Sequence, residues 1–430
     1  MASLPRALAP LRHGQYRWLA ASLALSLLHM GLWAVAVVWQ VVALDGGPAE
    51  LSVVAGLSAG GMLASTLLGG ALADRIPQRH ILLGVALTQA VAVAVAAVLS
   101  LTGALALWHL AAVSLIGGLA AGLYYPAYSA LVPSLVPARD LLAVNGLEGV
   151  VRPMLAQAAG PALAGLLVAA LSPGMALTAA SASALSAAAC VTALPVIPVR
   201  RDPEASPTGL LADVHEGFRY MVRTPWLLAT LVFAALMLLL FMGPFEVLVP
   251  FAIKDAGGGP SQHAWVLGAF GLGGALGSLL VASWRLPRRY LTVMNMLWGL
   301  GCLPMVVFGF APQYWVMLVA GAVIGGTFQA GMVIWGTLLQ RRVPPALLGR
   351  ISSLDFFVSL SFMPLSMALA GPVSELIGLT STFLLAGLGP PVIAAIAILA
   401  WRLPADEIAH PLDTGDEADV VAAPTELDRV

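Results

Sequence analysis

Charge is what this chain has least of. Of its 430 residues only 10% are Asp, Glu, Lys or Arg, while 60% are hydrophobic, and mean hydropathy is +0.93. A soluble domain cannot bury that much apolar surface, so water-soluble fold classes are excluded. Cysteine is nearly absent: Cys190 and Cys302 both fall in apolar runs, which excludes a disulfide or thiolate–metal framework and leaves two small core residues. Lysine occurs once, at Lys254, and the other nineteen basic residues are Arg. No G-x-x-x-x-G-K loop, nucleophile–base spacing or ligand cluster is present, so ATP hydrolysis, catalysis and a bound cofactor or metal are not expected.

What is present is a series of long charge-free runs, such as 18–44, 51–73, 256–284 and 376–401, each above the roughly 20 residues that cross a bilayer. Longer runs at 80–138, 153–199 and 290–340 break at LTGAL, LSPGM and FAPQYW, and each holds two crossings. The reading is an all-α membrane protein of twelve spans, at 17–44, 49–73, 80–101, 107–132, 141–170, 174–197, 225–253, 262–284, 290–310, 313–340, 349–373 and 377–401. No cleaved signal peptide is expected. Seventeen of the twenty basic residues lie before span 1, in even-numbered loops or just after span 12. The positive-inside rule then puts both termini in the cytoplasm, in an inner (plasma) membrane.

The chain repeats itself. RIPQRHI at 75–81 returns as RLPRRYL at 285–291, Ile116-Gly117-Gly118 as Ile324-Gly325-Gly326, Val136-Pro137 as Val343-Pro344, and Leu147-Glu148 as Leu354-Asp355. An ordered set of matches at offsets of 207 to 210 implies two pseudo-symmetric six-span halves. They occupy 1–197 and 225–402, joined by a cytoplasmic linker at 198–224. Within the linker Leu210, Leu211, Val214, Phe218 and Met221 share one helical face, the pattern of an interfacial amphipathic helix. Residues 403–430 carry eight acids against one Arg and read as a disordered acidic tail.

Gly70-Ala71-Leu72-Ala73-Asp74-Arg75 with Arg79, in the loop after span 2, resembles the G-x-L-a-D-r-x-G-r-k/r signature of the major facilitator superfamily. Gly160-Pro161-Ala162-Leu163-Ala164-Gly165 in span 5 resembles the G-P-x-x-G-G element of its exporters. With LVPARDLLAVNGL and DVHEGFRYMVRTP, the chain is most similar to the twelve-span branch of macrolide-type drug and enterobactin exporters, over its length to about residue 402. The resemblance implies two six-helix bundles around a central cavity, alternating access, and a small amphiphilic substrate moved by a single chain in exchange for protons. It implies that Asp74 latches the cytoplasmic side by facing the start of span 11, with Gly70, Arg75, Arg79 and Arg350 around it. Two departures stand out: Pro77 replaces the usual Gly, and span 4 has no Arg, which removes the usual proton-coupling arginine. The second half has Trp284 where Asp74 stands, either because one latch acid is enough or through drift.

Charges inside a bilayer cost about 2.5–3.5 kcal/mol each at span centre, so each intramembrane one asks for a role. Glu148 and Arg152 are four apart and can pair, and Asp355 is the symmetry mate of Glu148. The three form either a cytoplasmic gate network or, through an acid, a proton-coupling site. Glu246, with no basic residue in its span before Lys254, is a proton- or substrate-binding candidate or an outer gate residue. His29 is a relay or a buried structural histidine. On the spans that line the cavity in the resembled fold lie Trp33, Tyr124, Tyr125, Phe241, Met332, Trp335 and Phe357. A narrow-substrate exporter of a siderophore, antibiotic or lipid is the alternative function; a transport-inactive sensor or scaffold is the alternative class. Nucleic acid is not an expected partner.

Overall fold

The computed structural model describes residues 10–73, 75–137, 140–197, 210–283 and 286–412. Among them there are helices and no strands. The first half comprises α1 (Gly14–Ala43), α2 (Pro48–Ala73), α3 (Gln78–Leu101), α4 (Leu107–Leu135), α5 (Leu141–Pro153) with α6 (Gly160–Ala170), and α7 (Pro173–Thr192). A linker helix, α8 (Leu210–Arg223), leads into the second half. That half comprises α9 (Pro225–Gly243) with α10 (Val249–Asp255), α11 (Pro260–Ala282), α12 (Tyr290–Gly301) with α13 (Met305–Phe310), α14 (Tyr314–Arg342), α15 (Pro345–Ser361) with α16 (Met363–Ile377), and α17 (Leu379–Ala400). Eleven of these segments are long and apolar enough to cross a membrane, and the 26-residue α2 supplies the twelfth.

Proline explains where spans 5 and 7 change pitch. Pro161 has no N–H for the carbonyl of Gln157, and Pro250 has none for that of Glu246. Each freed carbonyl sits in a π-helical turn, Met154–Ala159 in span 5 and Pro244–Leu248 in span 7.

The halves meet at one end. Past the π turn, α6 packs closely on α11, and α16 packs closely on α2, whereas the other parts of the same spans, α5 and α15, barely touch the opposite half. The bundles therefore diverge toward the end that carries the basic loops and the first and last described residues, called here the basic end. They converge at the far end.

Linker helix α8 lies on α9 and α15, burying Met221 at 4% exposure and leaving Phe218 and Val222 about half exposed. Its apolar side is thus shared between protein and bilayer. The acidic tail requires correction. Residues 403–409 form a helix, α18 (Leu403–Ala409), that buries Leu403 and Glu407; residues 413–430 lie outside the described set. The carboxylate of Glu407 accepts hydrogen bonds from the N–H groups of Leu291 (2.9 Å) and Thr292 (3.1 Å) and from the Thr292 hydroxyl (2.6 Å). It therefore caps the start of α12, where those amides have no helical partner. An acid-rich composition concealed an ordered plug because its acids are used as acceptors.

Candidate transport site

The two halves build the same device from different residues. In the first, the Tyr128 hydroxyl donates to Glu148 Oε1 at 2.6 Å, and Arg152 donates to Oε2 through Nη2 (2.8 Å) and Nε (3.3 Å). The guanidinium carbon stands 5.6 Å from the ring centroids of both Tyr125 and Tyr128, within cation–π range, and Tyr124 stacks on Tyr128 at 5.8 Å. In the second, Trp335 Nε1 donates to Asp355 Oδ2 at 2.9 Å and Ser359 Oγ donates to Oδ1 at 3.2 Å. Tyr128 and Trp335, Glu148 and Asp355, and Arg152 and Ser359 are each 207 positions apart. The aromatic donor and the carboxylate are kept, but the cation is replaced by a hydroxyl. Among the described residues, Glu148 is thus balanced by a charge and Asp355 by neutral donors. Both acids are partly buried on the α5 and α15 stretches, where the halves diverge.

Glu246 lies in the π turn of span 7, between buried Phe245 and Val247. It is accessible although surrounded by the helix bundle, the position of a group lining an internal cleft. No hydrogen bond or ion pair reaches its carboxylate among the described residues.

Other candidates fall elsewhere. His29 is buried, and its Nδ1 donates to the carbonyl of Ala180 on α7 at 2.9 Å. That bond ties span 1 to span 6 within one half. Arg79 also works within that half: its Nε and Nη2 donate to the carbonyls of Val191 (3.2 Å) and Thr192 (2.7 Å), closing the C-terminus of α7. A latch between halves is not what it forms here. Arg75 is exposed. Asp74 and its counterpart Trp284 lie outside the described residues, as do the surroundings of Gly70 and the side chain of Arg350.

Of the cavity-lining set, Tyr125 (58%), Met332 (44%) and Phe357 (38%) are exposed, and Trp33 and Tyr124 are partly buried. Phe241 and Trp335 are corrections. Phe241 is 2% exposed and stacks on Phe245 at 5.2 Å; Trp335 is 5% exposed and packs against Trp226 and Trp298 at 6.2 and 6.4 Å. Membership of a cavity-lining span does not fix which helix face a residue occupies.

The span-5 motif has two faces. A Cβ at Gly31 in span 1 would come within 2.7 Å of Pro161 Cδ and 2.9 Å of Gly160 Cα, so this pair docks on span 1. Gly165 faces the opposite half: a Cβ there would stand 2.7 Å from that of Ala264 and 3.0 Å from the Pro260 carbonyl. The second contact between halves mirrors it. Gly371 of span 11 lies directly against Pro48 and Ala49, and its N–H donates to the Ser52 hydroxyl at 2.6 Å. Pro48 and Pro260 each end a Gly-Gly-Pro, at 46–48 and 258–260. This repeat carries no charge, and the identical tripeptides 212 positions apart are its only mark in the sequence. Two backbone-to-backbone seals therefore close the far end, each joining a Gly-Gly-Pro helix start to a glycine in the facing span.

Two six-helix bundles related by an internal repeat, sealed at one end and lined with intramembrane acids, define a membrane transporter rather than an enzyme. The family model described as "Transmembrane secretion effector" matches residues 5–424, and the chain belongs to that family of major facilitator transporters. Among curated relatives, the multidrug efflux pump Tap of Mycobacterium tuberculosis (strain ATCC 25618 / H37Rv) is 30% identical over 402 residues, covering 91% of this chain and 93% of that protein. Macrolide efflux protein A of Streptococcus pyogenes is 24% identical over 388 residues, covering 88% and 93%. Among solved structures, a mutant of the nucleoside transporter NupG superposes with a TM-score of 0.71 at 14% identity, covering 89% of this chain and 99% of that one. A bacterial homologue of the lysosomal transporter Spinster, solved inward-facing and unoccupied, gives 0.66 at 15%, covering 94% and 99%. At these identities the structural likeness speaks for the fold.

Proposed function

We propose that this chain exports small amphiphilic compounds across the plasma membrane by alternating access, as a monomer, in exchange for protons carried by its second half. Its kinship with proteins named as multidrug and macrolide efflux pumps supports the substrate class. The distribution of Arg supports a cytoplasmic basic end, so the conformation described is the one open to the cytoplasm, ready to load.

The observation that carries the coupling assignment is the lost cation. Glu148 is satisfied by Arg152, whereas Asp355 has Trp335 and Ser359 and Glu246 has no polar partner among the described residues. A carboxylate without a cation gains from taking up a proton in a low-dielectric site. Asp355 sits in the inner third of its span and Glu246 in the outer third of its own, so the second half offers an acceptor toward each side of the membrane.

The test is efflux of a lipophilic cationic dye from cells expressing wild type, Asp355→Asn or Glu246→Gln, with and without an uncoupler. Uncoupler-sensitive efflux in wild type that either substitution abolishes or makes independent of external pH is expected. Efflux by both variants with an unchanged pH profile removes these acids as carriers. A well-expressed wild type that moves no dye points instead to a single dedicated metabolite.

A further inference from the structure

The basic end of the second half carries a cavity lined by none of Glu148, Asp355 and Glu246. It measures about 560 Å³ and lies where α8 turns into α9, beneath the end of α14 and the segment after α18. Its charged walls are Arg223, Arg341, Arg342, Asp406 and His410, with Tyr220 and Thr224 adding hydroxyls. Arg342 is already spent: it pairs with Asp406 at 2.5 Å and lies over the Trp226 ring at 4.7 Å. His410 Nδ1 donates to the Asp406 carbonyl at 2.9 Å. Arg341 is exposed and makes one long contact, 3.4 Å to the Leu412 carbonyl. Arg223 is exposed and has no partner among the described residues. The one acid of the cavity is thus consumed by one of three arginines, and two cations face an open space of ligand size.

The depth of the cavity selects the anion. Phe218 and Val222, beside Arg223 on α8, are about half exposed at the basic end, which places that helix in the interfacial layer. Arg341 is in the last turn of α14, just past its apolar stretch, and Trp226 is in the first turn of α9. Two arginines without an acidic partner among the described residues, an indole and phenol- and hydroxyl-bearing side chains at headgroup level form the setting in which basic pockets hold lipid phosphates.

We infer that this cavity binds the phosphate headgroup of an anionic phospholipid of the inner leaflet, through Arg223 and Arg341. The same chemistry could take free inorganic phosphate, or the acidic residues 413–430 of this chain, and the experiment separates them.

Full-length protein is reconstituted in nanodiscs of phosphatidylcholine with rising phosphatidylglycerol, and retained lipids are counted by native mass spectrometry. The wild type should retain phosphatidylglycerol selectively. Arg223→Gln with Arg341→Gln should lower that selectivity about 30-fold, since each arginine near the surface contributes a factor of about 5. The double Arg→Lys variant should keep most of it, which shows that charge rather than a local collapse is read. Unaltered selectivity in the Gln variant overturns the inference. So does stabilisation of wild type by inorganic phosphate in pure phosphatidylcholine that equals the effect of the lipid. So does a wild type that retains no anionic lipid until 413–430 is removed, which assigns the cavity to the tail.

Discussion

Glu407 offers the sharpest test of how the basic end is held. Its carboxylate is 1% exposed and accepts three hydrogen bonds, two from amides in the first turn of α12. A hydrogen bond to a charged acceptor contributes about 1.5–3 kcal/mol, and an unmet buried donor costs about 1–3 kcal/mol. Three bonds to one carboxylate share a single desolvation cost, so their sum is not additive. A helix cap alone accounts for about 0.5–2 kcal/mol. Glu407→Ala should therefore destabilise the protein by about 3 kcal/mol, with Glu407→Gln, which keeps an acceptor, costing about half as much. At roughly 1 °C per kcal/mol for a chain of 430 residues, the alanine variant should melt about 3 °C lower. The assay is scanning fluorimetry of purified protein in one detergent at one heating rate. Truncation after Leu412 should leave the midpoint unchanged, and truncation after Arg402 should lower it at least as far as Glu407→Ala. A midpoint for Glu407→Ala within 1 °C of wild type would refute the capping argument.

Two further outcomes are expected. Gly165→Leu places a side chain where Ala264 and Pro260 stand; overpacking costs about 1–3 kcal/mol and should shift the population toward the far-end-open state some 5- to 150-fold. Faster labelling of a cysteine at Ala49, in the untouched second seal, by an impermeant maleimide reports this, and unchanged labelling counts against the seal. Arg152→Gln leaves Glu148 with Tyr128 alone and should cost about 1–2 kcal/mol, tempered because the Arg152 side chain is 31% exposed. Adding Glu148→Gln should recover most of that loss in the same melting assay; additive losses would mean that the two residues do not act as a pair.

Much of this molecule was legible in the sequence because the bilayer imposes strict rules. The length of apolar runs set the spans, the Arg distribution set the sidedness expected of them, and the drifting repeat set the halves. The spacing of Glu148 and Arg152 gave their pairing, since i and i+4 share a helix face. The aromatic partners Tyr128 and Trp335 were not legible, because a hydrogen bond between spans depends on how two helices are rotated against each other. Once Glu148 and Asp355 were known to correspond, their common offset could have found both aromatics. For Arg79 the signature sequence pointed to a gate, whereas its contacts are with carbonyls, which any sequence supplies everywhere. The plug at 403–412 was hidden for the related reason that burial of Glu407 is made tolerable by backbone amides.

The linker helix has a mechanical consequence. Because α8 rests on α9 and α15, it is packed as part of the second half. The tight backbone contacts between the halves are those of Gly165 and Gly371 at the far end, so alternating access, if the proposed function holds, would have to open these two seals while α8 moved as part of the second half.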